Sequence, residues 1–143
     1  MAVVTYSPLG AGLLTGKHPR GSPLAEGMFG RRDRERGGPL AKLYLDDRRY
    51  DAVDRLNGIA ARHGEPSLRL ALQWAAETPG VTSVIFGART EEQLAGVLEA
   101  WSGKAPPEAM AKVRGVAEEF ASTAPATYPP PSSPMVNRPD FAA

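Results

Sequence analysis

Two short phrases gather the groups suited to gripping a phosphate. Residues 5–17 read TYSPLGAGLLTGK and residues 81–93 read VTSVIFGARTEEQ. The first offers the Ser7 hydroxyl and, along Ser7-Pro8-Leu9-Gly10 and Gly12, backbone N–H groups at the carboxyl end of a strand-like run. The second does likewise with Gly87-Ala88-Arg89-Thr90. Arg89 stands just before a helix start, where it adds a fixed cation with several donors. Oriented N–H groups at a helix N-terminus favour an anion for the same electrostatic reason. Taken one at a time these features have plainer readings. Ser7-Pro8 is a strand-ending turn, Thr90 and Gln93 cap a helix, and Arg89 is a solvated charge.

Other chemistries find less support. Gly10, Gly12 and Gly16-Lys17 lack the glycine spacing of a phosphate loop, and His18 follows Lys17 where Ser or Thr is needed. His18 and His63 are far apart without metal-ligand spacing, and each reads as a surface or C-terminal-turn histidine. Cysteine is absent, which removes disulfides and thiolate chemistry, and there is no G-x-S-x-G nucleophile turn. Arg31, Arg32, Arg34 and Arg36 alternate with Asp33 and Glu35 and have no aromatic companions, so they read as a solvated loop. A formal net charge of +1 gives no electrostatic reason to expect nucleic acid or an anionic membrane as partner. With no apolar leader and no long apolar run, a cytoplasmic location is expected.

The elements that must position the two phrases can be read from pattern. Ala2 to Tyr6 is β-branched and aromatic and reads as a strand buried on both faces, ended by Ser7-Pro8. Residues 10–39 are rich in Gly, Pro and Arg and form a long loop with a helical turn near Leu13. Tyr50, Val53, Leu56 and Ala60 are spaced as one helical face from about Asp47 to Gly64. A second helix, Ser67 to Glu77, is apolar nearly all round. Val81 to Phe86 is a second strand. Thr90-Glu91-Glu92-Gln93 is a capping box, and it starts a helix whose stripe is Leu94, Val97, Leu98 and Trp101. A last helix runs from about Pro107 to Ser122, with Met110, Val113, Ala117 and Phe120 inward and Pro107 in its first turn. Prolines at 125, 129, 130, 131, 134 and 139 then forbid regular structure.

Together the two phrases resemble the last two strand-plus-loop units of the aldo-keto reductases, with the likeness extending over about residues 2–122. The resemblance implies an α/β fold, a partial TIM (β/α)8 barrel comprising those two strand-helix units, a C-terminal helix and a proline-rich tail. Residues 1–122 would form this barrel portion and 123–143 a disordered tail. It also implies oxidoreductase chemistry with NADPH. Ser7, Leu9, Gly12 and Lys17 fall where the family's first loop meets the pyrophosphate. Gly87, Arg89, Thr90 and Gln93 fall where the second meets the adenosine ribose phosphate, and an arginine there favours NADP over NAD. Three positions depart from the family pattern: Val97 in place of a common Asn, Phe86 in place of a Pro, and Glu91 in place of another Pro.

The family's catalytic Asp, Tyr, Lys and His lie on earlier strands, and this sequence holds none of those strands. A whole barrel takes roughly 250 residues, whereas the chain has 143. No catalytic residue and no metal ligand is therefore assigned. The expectation is a fragment of an enzyme that reduces aldehydes or ketones, inactive alone, arising from a misplaced start or a gene truncation. The alternatives are a non-catalytic cofactor-binding or partner-assembled module and a decayed gene product. Exposed barrel edges would favour self-association.

Overall fold

The computed structural model describes residues 2–16, 18–21 and 45–123. Lys17, most of the 21–39 loop and the tail from 124 onward lie outside the described residues.

Strand β1 (Val4–Tyr6) pairs in parallel with β2 (Ser83–Ile85), with Val4 opposite Ser83, Thr5 opposite Val84 and Tyr6 opposite Ile85. Between them come a 3-10 segment (Gly10–Thr15), helix α1 (Asp47–His63) and helix α2 (Ser67–Glu77). Helices α3 (Glu91–Ser102) and α4 (Pro107–Ser122) follow β2. The order is that of an α/β fold, since parallel neighbours need a long crossover between them.

The helices begin and end where their sequences dictate. Asp46 caps α1 by accepting the Arg49 N–H at 2.8 Å. Gly64 ends it in the left-handed region at φ 64°, which lets the Glu65 N–H turn back to the Ala60 carbonyl at 3.0 Å. Pro107 occupies the first turn of α4. Helix α2 is the hub, touching α1, α3, α4, the 3-10 segment and β2. Its Leu70 and Leu72 are fully buried. Leu70 and Ala71 meet Leu56, Ile59 and Ala60 of α1 and Met110 and Val113 of α4, while Leu72 meets Val97 and Ala100 of α3. A smaller cluster joins Leu13 to Tyr50 and Val53.

Three expectations about burial are corrected. The strands are shorter than expected and, among the described residues, are not buried on both faces: Tyr6 is 78% and Ile85 58% exposed. Among the described residues each has only the other as a strand neighbour. On α3, Val97 is buried as expected, but Leu94, Leu98 and Trp101 are exposed and Ala100 is buried instead. The helix turns its Val97–Ala100 edge to α2 and leaves the larger residues outside. His18 is buried, not at the surface. The α1 face was read correctly, with Tyr50, Val53, Leu56 and Ala60 all inside. In α4, Met110 and Val113 are buried while Ala117 and Phe120 are half-buried.

Candidate phosphate-binding loops

Because the strands run parallel and in register, the segments that leave their carboxyl ends emerge side by side. The ladder continues one step beyond β1, where the Ser7 N–H donates to the Ile85 carbonyl at 3.2 Å. Ser7 thus lies against the start of the Phe86-Gly87-Ala88-Arg89 segment. The segment carrying Ser7, Leu9 and Gly12 and the segment carrying Gly87, Arg89, Thr90 and Gln93 therefore leave the sheet from the same end.

The first loop is wound by residues in the left-handed region. Ser7, Gly10, Ala11 and Gly12 have φ of 56°, 53°, 59° and 97°. Ser7 and Ala11 carry side chains there at a steric cost that Gly does not meet. The turns this creates use donors that the sequence had offered to a ligand. The Gly10 N–H donates to the Ser7 carbonyl and the Gly12 N–H to the Leu9 carbonyl, each at 3.0 Å. The expected row of free N–H groups is therefore corrected: those of Ser7, Gly10 and Gly12 are engaged within the protein. The Ser7 side chain itself is exposed. The Leu9 side chain is half-buried against the α1–α2–α4 core and the α2–α3 cluster, so it anchors the loop.

The second loop is held by its helix. Thr90 Oγ1 accepts the Gln93 N–H at 3.2 Å, the expected cap. The return arm differs from a capping box: Gln93 Oε1 accepts the N–H of Arg89 at 3.0 Å, one residue before the N-cap. Gln93 thus fixes the backbone from which the Arg89 side chain projects. Arg89 is exposed and has no ion pair among the described residues. Glu91 and Glu92 in the same turn are also exposed and complement the helix dipole. Val97, where the family has an Asn, is 6% exposed and packs on α2, so its side chain is part of the core.

A residue the sequence reading overlooked secures the other end of the first loop. Arg20 donates to Asp47 at 2.7 Å and Asp51 at 2.5 Å, approaches Asp54 at 3.6 Å, and lies 5.3 Å from the Tyr50 ring centroid. The hydrogen bond to Asp51 and the surrounding carboxylates raise its pKa above the ordinary arginine value. The signal was present as Asp47 and Asp51, four apart on one helix face.

The donor set is of a kind that suits an anion. It combines an unpaired guanidinium, a hydroxyl and a helix N-terminus, and the described residues contain no group of three or more acidic or histidine side chains able to hold a metal ion. No helix among them is long and apolar enough to cross a membrane.

A family model described as "Aldo/keto reductase family" matches residues 1–118. The chain is 36% identical over 94 residues to a probable voltage-gated potassium channel subunit beta of Oryza sativa subsp. japonica, covering 66% of this chain and 28% of that protein. It is 34% identical over 91 residues to the L-glyceraldehyde 3-phosphate reductase of Escherichia coli K12, covering 64% and 26%. To Protein tas of the same organism it is 30% identical over 132 residues, covering 90% of this chain and 34% of that protein. The chain therefore spans between 26% and 34% of the length of these relatives.

Proposed function

Because this chain belongs to the aldo/keto reductase family, whose membership supports oxidoreductase function, we propose that its two loops hold the phosphates of NADPH in a barrel of which this chain is the last part. The observation that carries the reading is the parallel register that sets the Ser7 loop beside the Arg89 loop through the Ser7–Ile85 hydrogen bond. Such barrels commonly bind phosphate with the loops after strands seven and eight and a helix N-terminus.

Arg89 and the α3 N-terminus supply positive potential for the ribose phosphate, and Gln93 keeps the Arg89 backbone in place. Ser7 offers its hydroxyl to the pyrophosphate, with Lys17 assigned to the same group by position in the motif. Leu9 and Leu13 keep the loop on the helices. NADPH, when bound, supplies the hydride that reduces a carbonyl carbon. Protonation of the carbonyl oxygen is assigned to a tyrosine on the strands that this sequence does not contain. The chain alone is accordingly proposed to bind cofactor without reducing a carbonyl substrate.

Titration of the purified chain with NADPH and NADH, followed by tryptophan fluorescence, tests the binding half. Saturable binding that favours NADPH is expected, and its absence at millimolar cofactor would overturn the cofactor reading. Turnover of an aldehyde by a rigorously pure sample would overturn the assignment of chemistry to absent strands. The intact mass in the native cells, detected through a peptide around Met135, tests the fragment reading. A mass near 15.2 kDa would count against a longer parent.

The exposed Tyr6, Ile85, Leu98 and Trp101 favour a second reading, a non-catalytic module that pairs with a second copy or a complementing chain through its strand edges. Sedimentation across a range of concentrations tests it, and a monomer throughout would exclude self-association.

A further inference from the structure

We propose that Arg20 is a positioning residue for the phosphate-holding loop, clamping it to the first turns of α1 so that cofactor affinity depends on ion pairs remote from the cofactor. This rests on the NADPH reading above. Leu13 and Arg20, which flank residue 17 in the sequence, are both anchored on the same helix. On one side Leu13, 7% exposed, packs on Tyr50 and Val53. On the other side Arg20 forks onto Asp47 and Asp51 and covers the Tyr50 ring, with the buried His18 between. Tyr50 is common to both anchors, so the loop is referred at two points to one rigid element.

The energetics separate this role from simple stabilisation. Arg20 is 42% exposed, and Asp47 and Asp51 are 89% and 69% exposed. Pairs so open to water add little to global stability. A guanidinium presented with two carboxylates and a ring is nevertheless geometrically well defined. What it contributes is the arrangement of a loop whose ordering would otherwise oppose ligand binding.

The test compares the full chain with Arg20→Gln, with the double variant Asp47→Asn/Asp51→Asn, and with Arg20→Lys. Readouts are the NADPH dissociation constant, the urea midpoint and the rate of tryptic cleavage after Lys17. Arg20→Gln and the double Asn variant are each expected to weaken NADPH binding about tenfold, a loss of pre-organisation, with faster cleavage after Lys17 and an unchanged urea midpoint. Arg20→Lys, which keeps the charge, should regain part of the affinity. Unchanged affinity in both clamp variants, with the parent chain binding normally, would overturn the proposal. So would a loss of affinity that only follows a fall in the urea midpoint. Failure of the parent chain to bind NADPH would instead overturn the cofactor reading. Cleavage after Lys17 would then decide the clamp, a faster rate in the variants supporting it and an equal rate removing it.

Discussion

Gln73 Oε1 accepts the backbone N–H of Ala105 at 2.9 Å, and its Nε2 donates to the carbonyl of Gly103. One buried amide on α2 thereby satisfies both sides of the turn that joins α3 to α4. Gln73→Leu keeps the bulk but strands a buried donor and an acceptor. Leaving a buried polar group unsatisfied costs about 1–3 kcal/mol. The variant should lower the urea midpoint with an unchanged slope.

Gly103 serves the same turn for a steric reason. A Cβ at this position would come within 2.6 Å of Arg69 Cζ. Arg69 is held there by Glu65 and by donation to the Ala100 carbonyl at 3.2 Å. Gly103→Ala is expected to displace the guanidinium and destabilise the chain by about 1–2 kcal/mol, within the usual range for overpacking. In an Arg69→Ala background the same change should cost clearly less. Equal costs in the two backgrounds would show that the contact is not the cause.

Arg89 should carry the preference for the 2′-phosphate. Arg89→Ala is expected to weaken NADPH binding by about tenfold to a hundredfold, equivalent to losing about 1.5–3 kcal/mol of charge-assisted hydrogen bonding. NADH binding should be nearly unchanged. A parallel loss for both cofactors would mean that Arg89 meets the pyrophosphate or acts only on the fold.

Glu108 and Lys112 are one turn apart on α4 and paired at 2.7 Å. The hydrogen bond from Lys112, its charge and that of His63 hold the Glu108 pKa below the ordinary 4.5. A carboxylate depressed in the folded state stabilises it above the ordinary pKa, and the contribution is lost as pH falls through the depressed value. Carboxyl NMR should place the Glu108 midpoint below 4.5, and Lys112→Met should move it upward. A midpoint unmoved by that change would remove Lys112 as the cause.

The helices were legible because their signals are local. Gly64, Thr90 and Pro107 mark ends within a few residues of the elements they bound, and the Tyr50–Val53–Leu56–Ala60 spacing names its own buried face. The strands were legible in position but not in burial, because what covers Tyr6 or Ile85 is decided by chain far from either. Trp101 and Leu98 misled for a related reason. The 3.6-residue period identifies an apolar stripe, but α2 selects the Val97–Ala100 edge through small-residue packing. The parallel pairing of the two strands agreed with the α/β expectation. The internal use of the Gly10 and Gly12 N–H groups did not, since it depends on left-handed residues at Ser7 and Ala11 that the sequence does not single out. Arg20 and Gln73 escaped notice because their partners lie 27 and 30 or more positions away.

The β1–β2 pairing joins residues 79 positions apart, as in the bond from the Val3 N–H to Thr82 Oγ1, and each strand is only three residues long. Closing so long a span returns few hydrogen bonds for the chain entropy it costs. The helical layer, by contrast, includes α2 packed on its chain neighbours α1 and α3, with α4 then closing over α1 and α2. Assembly should therefore run from the α1–α2 hairpin outward, with the sheet zipping last. In the native protein the same hierarchy makes the sheet the first part to open. Amide exchange should be faster at Thr5 and Ile85 than at Leu70 and Leu72. The two loops would then separate and rejoin as a pair, gated by the opening of a six-residue ribbon.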